Sequence, residues 1–341
     1  MKIFYAVQAT GNGHIARAIE LLPFLLQYGT VDIFLSGSNS NLQNELPVKY
    51  RSKGLSLLYH GKGGLDYWKM FKEISLVNAY KDARQLPVEK YDLVINDFEA
   101  LTALACKIKK VASIGFGHQA SFQSNQTPRP FHKEIMGEFI LQKFAEAFTY
   151  IGVHFEQYDD FIFNPIIKQD ILLASPKDNG YITVYLSHYG DEIIAAQLHQ
   201  LKDIRFEVFS KKVNQPTADK NITFIPVSNN AFNKSMINCT GIITGAGFET
   251  PAEALYLRKK LLCLPIKGQY EQLCNAEALK QFDVPVIDTI NDSFTGTLKD
   301  WLNSPQLKPL ELTHSTAEIV NHVIEKAMSF KKTLLAFNIP G

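Results

Sequence analysis

Cysteine is scarce and scattered in this chain. Its 341 residues hold four, Cys106, Cys239, Cys263 and Cys274, and no two form a Cys-x-x-Cys pair. That spacing offers neither a clustered zinc site nor a disulfide framework, and the four read as buried thiols. An excess of one charge is missing as well. Lys plus Arg total 35 against 34 for Asp plus Glu, so no overall field draws the chain to a polyanion, and nucleic acid is not an expected partner. Long apolar runs are also lacking: residues 21–26, broken by Pro23, fall far short of the ~20 needed to cross a bilayer. The first seven residues run into Gln8 and Thr10 without the apolar core or cleavage site of a secretory signal, so a cytoplasmic location is expected. No metal or cofactor is called for by any cluster of ligand-type residues.

What is present is an ordinary globular composition, 46% hydrophobic and 20% charged, in a chain long enough for about two domains. An apolar run at residues 3–7 is ended by Gly11-Asn12-Gly13, after which Ile15, Ile19, Leu22, Leu25 and Leu26 recur at helical spacing. Further strands are expected at residues 31–35, 92–96, 111–116 and 149–155, with helical patterns at 68–80, 99–107 and 133–148. The alternation then restarts, with strands expected at 181–186, 205–209, 221–225, 241–244, 260–264 and 284–287. Alternating strands and helices imply parallel sheets, hence an α/β chain in two halves. The break between them is expected within residues 158–176, where Asn164-Pro165 and Ser175-Pro176 interrupt regular structure. This gives domains 1–160 and 161–314, with an amphipathic segment from Ser315 that can pack on either half.

Gly11-Asn12-Gly13-His14-Ile15-Ala16 fits the dinucleotide fingerprint in its G-x-G-x-x-A form. A nicotinamide site also wants an acid at the end of the second strand, where this chain has Leu35-Ser36-Gly37, so the NAD reading loses ground. His14 opens the following helix, whose positive end favours a neutral ring able to act as a general base. Arg17, one turn on, can face an anion near the loop. The plainer alternatives are a histidine bonded to its own helix terminus and a solvated arginine.

A second glycine segment, Gly245-Ala246-Gly247-Phe248, again leads into a helix, and its backbone N–H groups suit a diphosphate. Thr250 and Glu253 have capping-box spacing, with Pro251 at the first helical position. Alternatively, Glu253 accepts hydrogen bonds from ribose hydroxyls. Farther on, Gln269, Glu271, Gln272 and Asn275 fall at the carboxyl edge of the sheet and suit sugar hydroxyls, or else form a solvated helix start. In the first half, Asn96-Asp97-Phe98-Glu99 and Gly117-His118-Gln119 end two expected strands on the same edge as His14. Asp97 or Glu99 could orient a histidine or bind acceptor hydroxyls, and His118 rivals His14 as the base. Against these stand a helix N-cap at Asp97 and a loop histidine.

Taken together, Gly11-x-Gly13-His14-x-x-Arg17, Thr244-Gly245-x-Gly247-Phe248-x-Thr250-x-x-Glu253-Ala254 and Gly268-Gln269-x-Glu271-Gln272-x-x-Asn275-Ala276 resemble the GT-B glycosyltransferases related to family 28, the MurG-like enzymes. The resemblance implies two Rossmann-like domains facing a cleft. The first would bind the acceptor and the second a nucleotide-sugar, usually a UDP-sugar, as substrate. It implies that Gly245, Ala246 and Gly247 lie near the diphosphate, Glu253 on the ribose, and Glu271 with Gln272 on the sugar hydroxyls. It places His14 toward the acceptor and sends the final helix, within 315–341, back to the first domain. The acceptor would be a glycan, lipid or small molecule, with peripheral membrane contact one option. Inverting transfer without a metal is the expected reaction. A nucleotide-sugar 2-epimerase and a non-catalytic nucleotide-sugar binding protein are the rival expectations.

Overall fold

The computed structural model describes residues 1–9, 12–37, 46–53, 76–305 and 307–337. The first half runs β1 (Lys2–Gln8), α1 (Gly13–Leu25), β2 (Thr30–Ser36), β3 (Val48–Ser52), α2 (Leu76–Gln85), β4 (Leu93–Asp97), α3 (Ala100–Lys109), β5 (Ile114–Gly117), α4 (Ile135–Lys143), β6 (Thr149–Val153) and β7 (Ile162–Phe163). A single-turn α5 (Gln169–Leu172) leads to β8 (Tyr181–Tyr185), α6 (Asp191–Leu198), β9 (Arg205–Ser210), β10 (Thr217–Asp219), β11 (Ile222–Pro226) and α7 (Asn229–Asn238). Then come β12 (Gly241–Thr244), α8 (Glu249–Tyr256), β13 (Lys260–Cys263), α9 (Tyr270–Lys280), α10 (Phe294–Asn303) and α11 (Thr316–Phe337).

Two sheets result, ordered β3-β2-β1-β4-β5-β6-β7 and β10-β11-β9-β8-β12-β13. Every pairing in the first is parallel. In the second only β10 runs antiparallel to its neighbour. After Lys2, every position of β1 is buried, the continuous apolar signature of a parallel strand covered on both faces. Helix α1 buries Ile15, Ala18, Leu21 and Leu25, one stripe at helical spacing that lies against the sheet.

One apolar core continues from the first sheet, through Tyr5, Ile95 and Phe116, into the second, through Ile242, Phe248 and Leu261. The final helix joins it through Ile319, Val320, Val323 and Ile324. There α11 meets α1 and its surroundings: Phe330 packs edge-on against Phe148 at 5.0 Å, and the Tyr28 hydroxyl donates to Asn321. Its packing against the first half is the side left open by the sequence.

Differences from expectation have local causes. Strand β3 is a half-exposed edge strand reading Val-Lys-Tyr-Arg-Ser, too polar to announce itself. Strand β7 lies in the stretch taken as a break, and carries the first sheet on to Phe163. The expected strand at 284–287 shrinks to one bridge between Cys263 and Val286, beside Pro285, which has no N–H for a ladder. Of the helix expected at 68–80, the part before residue 76 lies outside the described residues.

Across the halves, Gly137 of α4 faces the Tyr270 ring of α9: a Cβ at position 137 would lie 2.4 Å from Tyr270 Cγ. Gly137→Ala therefore has to push the ring away, at a cost of about 1–3 kcal/mol. The denaturation midpoint should fall and the radius of gyration in solution should rise; a variant unchanged in both would show that this contact does not hold the halves together.

Candidate functional site

In both sheets the strand order reverses next to the strand that opens the half, at β1/β4 and at β8/β12, which is where open α/β sheets bind ligands. The two switch points share a cleft. A cavity of about 320 Å³ is lined from the first half by Gly13, His14, Phe98, His118 and Gln119, and from the second by Tyr185, Gly247, Phe248, Glu249, Gln269, Glu271 and Gln272.

Behind the His14 ring that lines this cavity lies Asp97, the last residue of β4, fully buried. Its Oδ1 is 2.7 Å from His14 Nδ1 and 2.8 Å from Arg17 Nη2, and its Oδ2 accepts from Arg17 Nε at 3.0 Å. Burial acts to raise the Asp97 carboxyl, but the Arg17 guanidinium and His14 outweigh it and hold the group down at about 2. An ionised Asp97 favours the proton of His14 on Nδ1, although Arg17 Nη2 also comes within 3.0 Å of that atom. In this tautomer the lone pair is on Nε2 of the cavity-lining ring, which has no hydrogen-bond partner among the described residues. Arg17 does not point at an anion from solvent, as one reading had it. It is 3% exposed and directs Nη1 to Glu249 Oε1 of the other half at 2.7 Å.

Glycines make room for this arrangement. Gly117 has φ +109°, and a Cβ on it would meet Asp97 Oδ1 at 2.9 Å and Arg17 Nη2 at 3.0 Å. At Gly13 a Cβ would strike Glu249 Oε2 at 2.6 Å. Gly247 faces open space. Gly11 lies outside the described residues.

The remaining candidates divide. Glu99 does not join the site: it is the buried N-cap of α3, its carboxylate accepting from Leu101 N and Thr102 N at 3.0 and 2.6 Å. Asp97, the residue weighed for that cap, is the one left to orient His14. His118 reaches acceptors with both nitrogens, Val153 O at 3.2 Å and Asn275 Oδ1 at 2.8 Å. Because Asn275 Nδ2 donates to Ala246 O at 3.1 Å, its oxygen is turned toward His118; a neutral ring donates to only one of these two acceptors, and both of its nitrogens face protein oxygens rather than the cavity. Burial lowers the His118 pKa, against the pull of Glu271 and Glu249. Its ring stacks on Phe248 at 4.0 Å, so His118 joins the halves.

On the second half, helix α8 begins at Glu249 with Phe248 as N-cap. Thr250 is thus inside the helix, Pro251 is its third residue, and the expected Thr250–Glu253 capping box does not form. Glu253 is 1% exposed and accepts from Lys168 Nζ at 3.1 Å; burial pushes it up to about 6 against the pull of Lys168. Glu271 accepts from Gln119 Nε2 at 3.0 Å across the cleft. Gln272 is tied to Ile266 N and to Gln269 Oε1 while still lining the cavity. A second cavity, of about 500 Å³, adjoins the first and is walled by Gly13, Lys168, Tyr185, Asn229, Gly247 and Thr250 among others. The sequence reading missed Lys168, Tyr185 and Glu249. Glu249 stood inside the second glycine segment, whereas Lys168 carried no signal in a stretch taken as a break.

Among the described residues, no group of three or more His, Cys, Asp or Glu side chains could hold a metal ion, and no helix is long and apolar enough to cross a membrane.

With this geometry in view, the comparisons are specific. UGT89C1 of Arabidopsis thaliana, crystallised with UDP, is 14% identical and aligns over 96% of this chain and 94% of its own, with a TM-score of 0.60. MurG of Acinetobacter baumannii is 13% identical over 95% and 99%, with a TM-score of 0.59. The glycosyltransferase SnogD from Streptomyces nogalater is 12% identical over 94% and 99%, with a TM-score of 0.54. A search of curated proteins by sequence finds no match. These likenesses establish the GT-B fold, in which two Rossmann-like units face a cleft. The family model described as glycosyl transferase family 1 matches residues 1–304, and the chain therefore belongs to that family and is a glycosyltransferase.

Proposed function

We propose that this glycosyltransferase moves a hexosyl group from a UDP-sugar to an acceptor hydroxyl by a single displacement that inverts the anomeric carbon and needs no metal ion. The observation that carries the reading is the His14–Asp97 pair, at 2.7 Å, on a cavity that the first turn of α8 also lines. The first half, which β7 carries slightly past residue 160 and the final helix completes, takes the acceptor, and the second half takes the donor.

His14 Nε2 removes the acceptor proton as the acceptor oxygen bonds to the anomeric carbon, and Asp97 stabilises the imidazolium that forms. The bond from that carbon to the diphosphate oxygen breaks in the same step. The charge left on the diphosphate meets the positive end of α8, whose opening residues Gly247, Phe248, Glu249 and Thr250 line the cavities. Glu271, held by Gln119, offers acceptor capacity to sugar hydroxyls. The UGT89C1 structures with UDP, UDP-L-rhamnose and quercetin support a nucleotide-sugar donor and a small-molecule acceptor.

Calorimetry against UDP, GDP, UDP-sugars and NADH tests the donor: UDP and its sugars should bind, and a preference for NADH overturns the reading. His14→Ala should keep UDP affinity within about twofold while transfer drops by roughly 10²–10⁴, with EDTA leaving wild-type transfer intact. A fully active His14→Ala enzyme removes the proposed base.

Asp97 adds a pH signature. Its carboxyl lies at about 2, against an ordinary 3.8, a difference of about 2 kcal/mol. That stabilisation is complete above about pH 4 and is lost as the pH falls through 2. Asp97→Asn should therefore be less stable than wild type at neutral pH, and the gap in unfolding free energy should close toward pH 2. A gap that does not vary with pH would mean that Asp97 is not the anion of this network.

A further inference from the structure

Lys168 sits just before α5, between the two sheets, with its side chain 14% exposed. Its ammonium donates to Glu253 Oε2 at 3.1 Å and to Asn233 Oδ1 at 3.0 Å. Two of its three N–H donors are so engaged, and the residue also forms part of the wall of the 500 Å³ cavity beside Gly247 and Thr250. Among the described residues lining this cavity and the adjoining one, Lys168 is the only lysine or arginine. Arg17, the nearest other cation, is committed to Asp97 and Glu249.

The α8 N-terminus supplies only about half a positive charge, and Glu249 of that same turn brings a carboxylate to the cavity. A multiply charged diphosphate leaving water for this cleft needs a full cation. Resting on the donor reading above, we infer that Lys168 is a donor-binding residue whose ammonium meets the diphosphate at the start of α8 and gives the cavity its preference for a nucleoside diphosphate over the uncharged nucleoside. Glu253, buried behind it, aims the ammonium; because burial raises the Glu253 carboxyl, its charged form depends on that same lysine. Lys168 thus serves the carboxylate beneath and the anion in front.

The test compares UDP by calorimetry with uridine by ligand-observed NMR, on wild type, Lys168→Arg, Lys168→Met and the double variant Lys168→Met/Glu253→Gln. The double variant removes both charges of the buried pair, so a fold disturbed by an orphaned carboxylate is not mistaken for lost anion binding; circular dichroism checks each protein. Lys168→Met should lose about tenfold or more in UDP affinity with uridine binding unchanged, Lys168→Arg should retain most of it, and the double variant should lose about tenfold more affinity for UDP than for uridine. Wild type that binds UDP alongside a folded double variant of equal UDP affinity overturns the role of Lys168 and leaves the donor reading standing. Equal losses for UDP and uridine also overturn it, by showing a merely structural lysine. Wild type that binds no nucleotide at all brings down the donor reading itself, and this inference with it.

Discussion

A carboxylate buried without water survives as an anion only if the protein replaces the lost hydration, and the site is organised around meeting that demand at Asp97. Arg17 supplies two N–H groups and the compensating charge, and His14 supplies a third donor. The same contacts that keep Asp97 ionised therefore favour the His14 tautomer with its proton on Nδ1. The guanidinium still has an edge to spare, and it goes to Glu249 in the other half. One buried charge thus couples the reactive imidazole to the helix that faces it across the cleft. The glycines at 13 and 117 are required because any side chain there would occupy the space of this network.

The halves meet through several contacts of this mixed kind. His118 stacks on Phe248 and donates to Asn275, while the Tyr270 hydroxyl donates to Glu138 at 2.7 Å. These contacts add polar and aromatic links to the apolar core that runs between the halves. His118, which the sequence made a rival base, faces protein oxygens with both ring nitrogens instead of the cavity. A histidine set between a carbonyl and an oriented amide has its ring nitrogens spent on holding two loops in register.

The alternation of apolar runs with helical patterns was enough to read the α/β architecture, since parallel strands buried on both faces leave continuous signatures. Short or polar edge strands such as β3 and β10 leave none, because one side of each makes no ladder. His14 was legible because a glycine loop and a helix start are local features. The role of Arg17 was not, since its partners at Asp97 and Glu249 lie 80 and 232 residues away. The start of α8 was misplaced through trust in Thr250 as a cap. The chain enters the helix earlier, at Phe248, and that shift turns Glu253 inward toward Lys168.

The charges along the cleft follow a common rule. Asp97 and Glu249 are held by Arg17, and Glu271 by Gln119, so each acid near the cavity is engaged by a donor from the first half. Like-charge repulsion of an incoming diphosphate is thereby reduced without removing the carboxylates, whose oxygens can still accept from sugar hydroxyls. In the proposed reading the anion is met by the backbone dipoles at the start of α8, which pH cannot neutralise and which need no reorganisation when charge develops on the leaving group. Under the proposed reading, this division sets fixed dipoles and the Lys168 ammonium on the donor side and a shielded carboxylate beside His14.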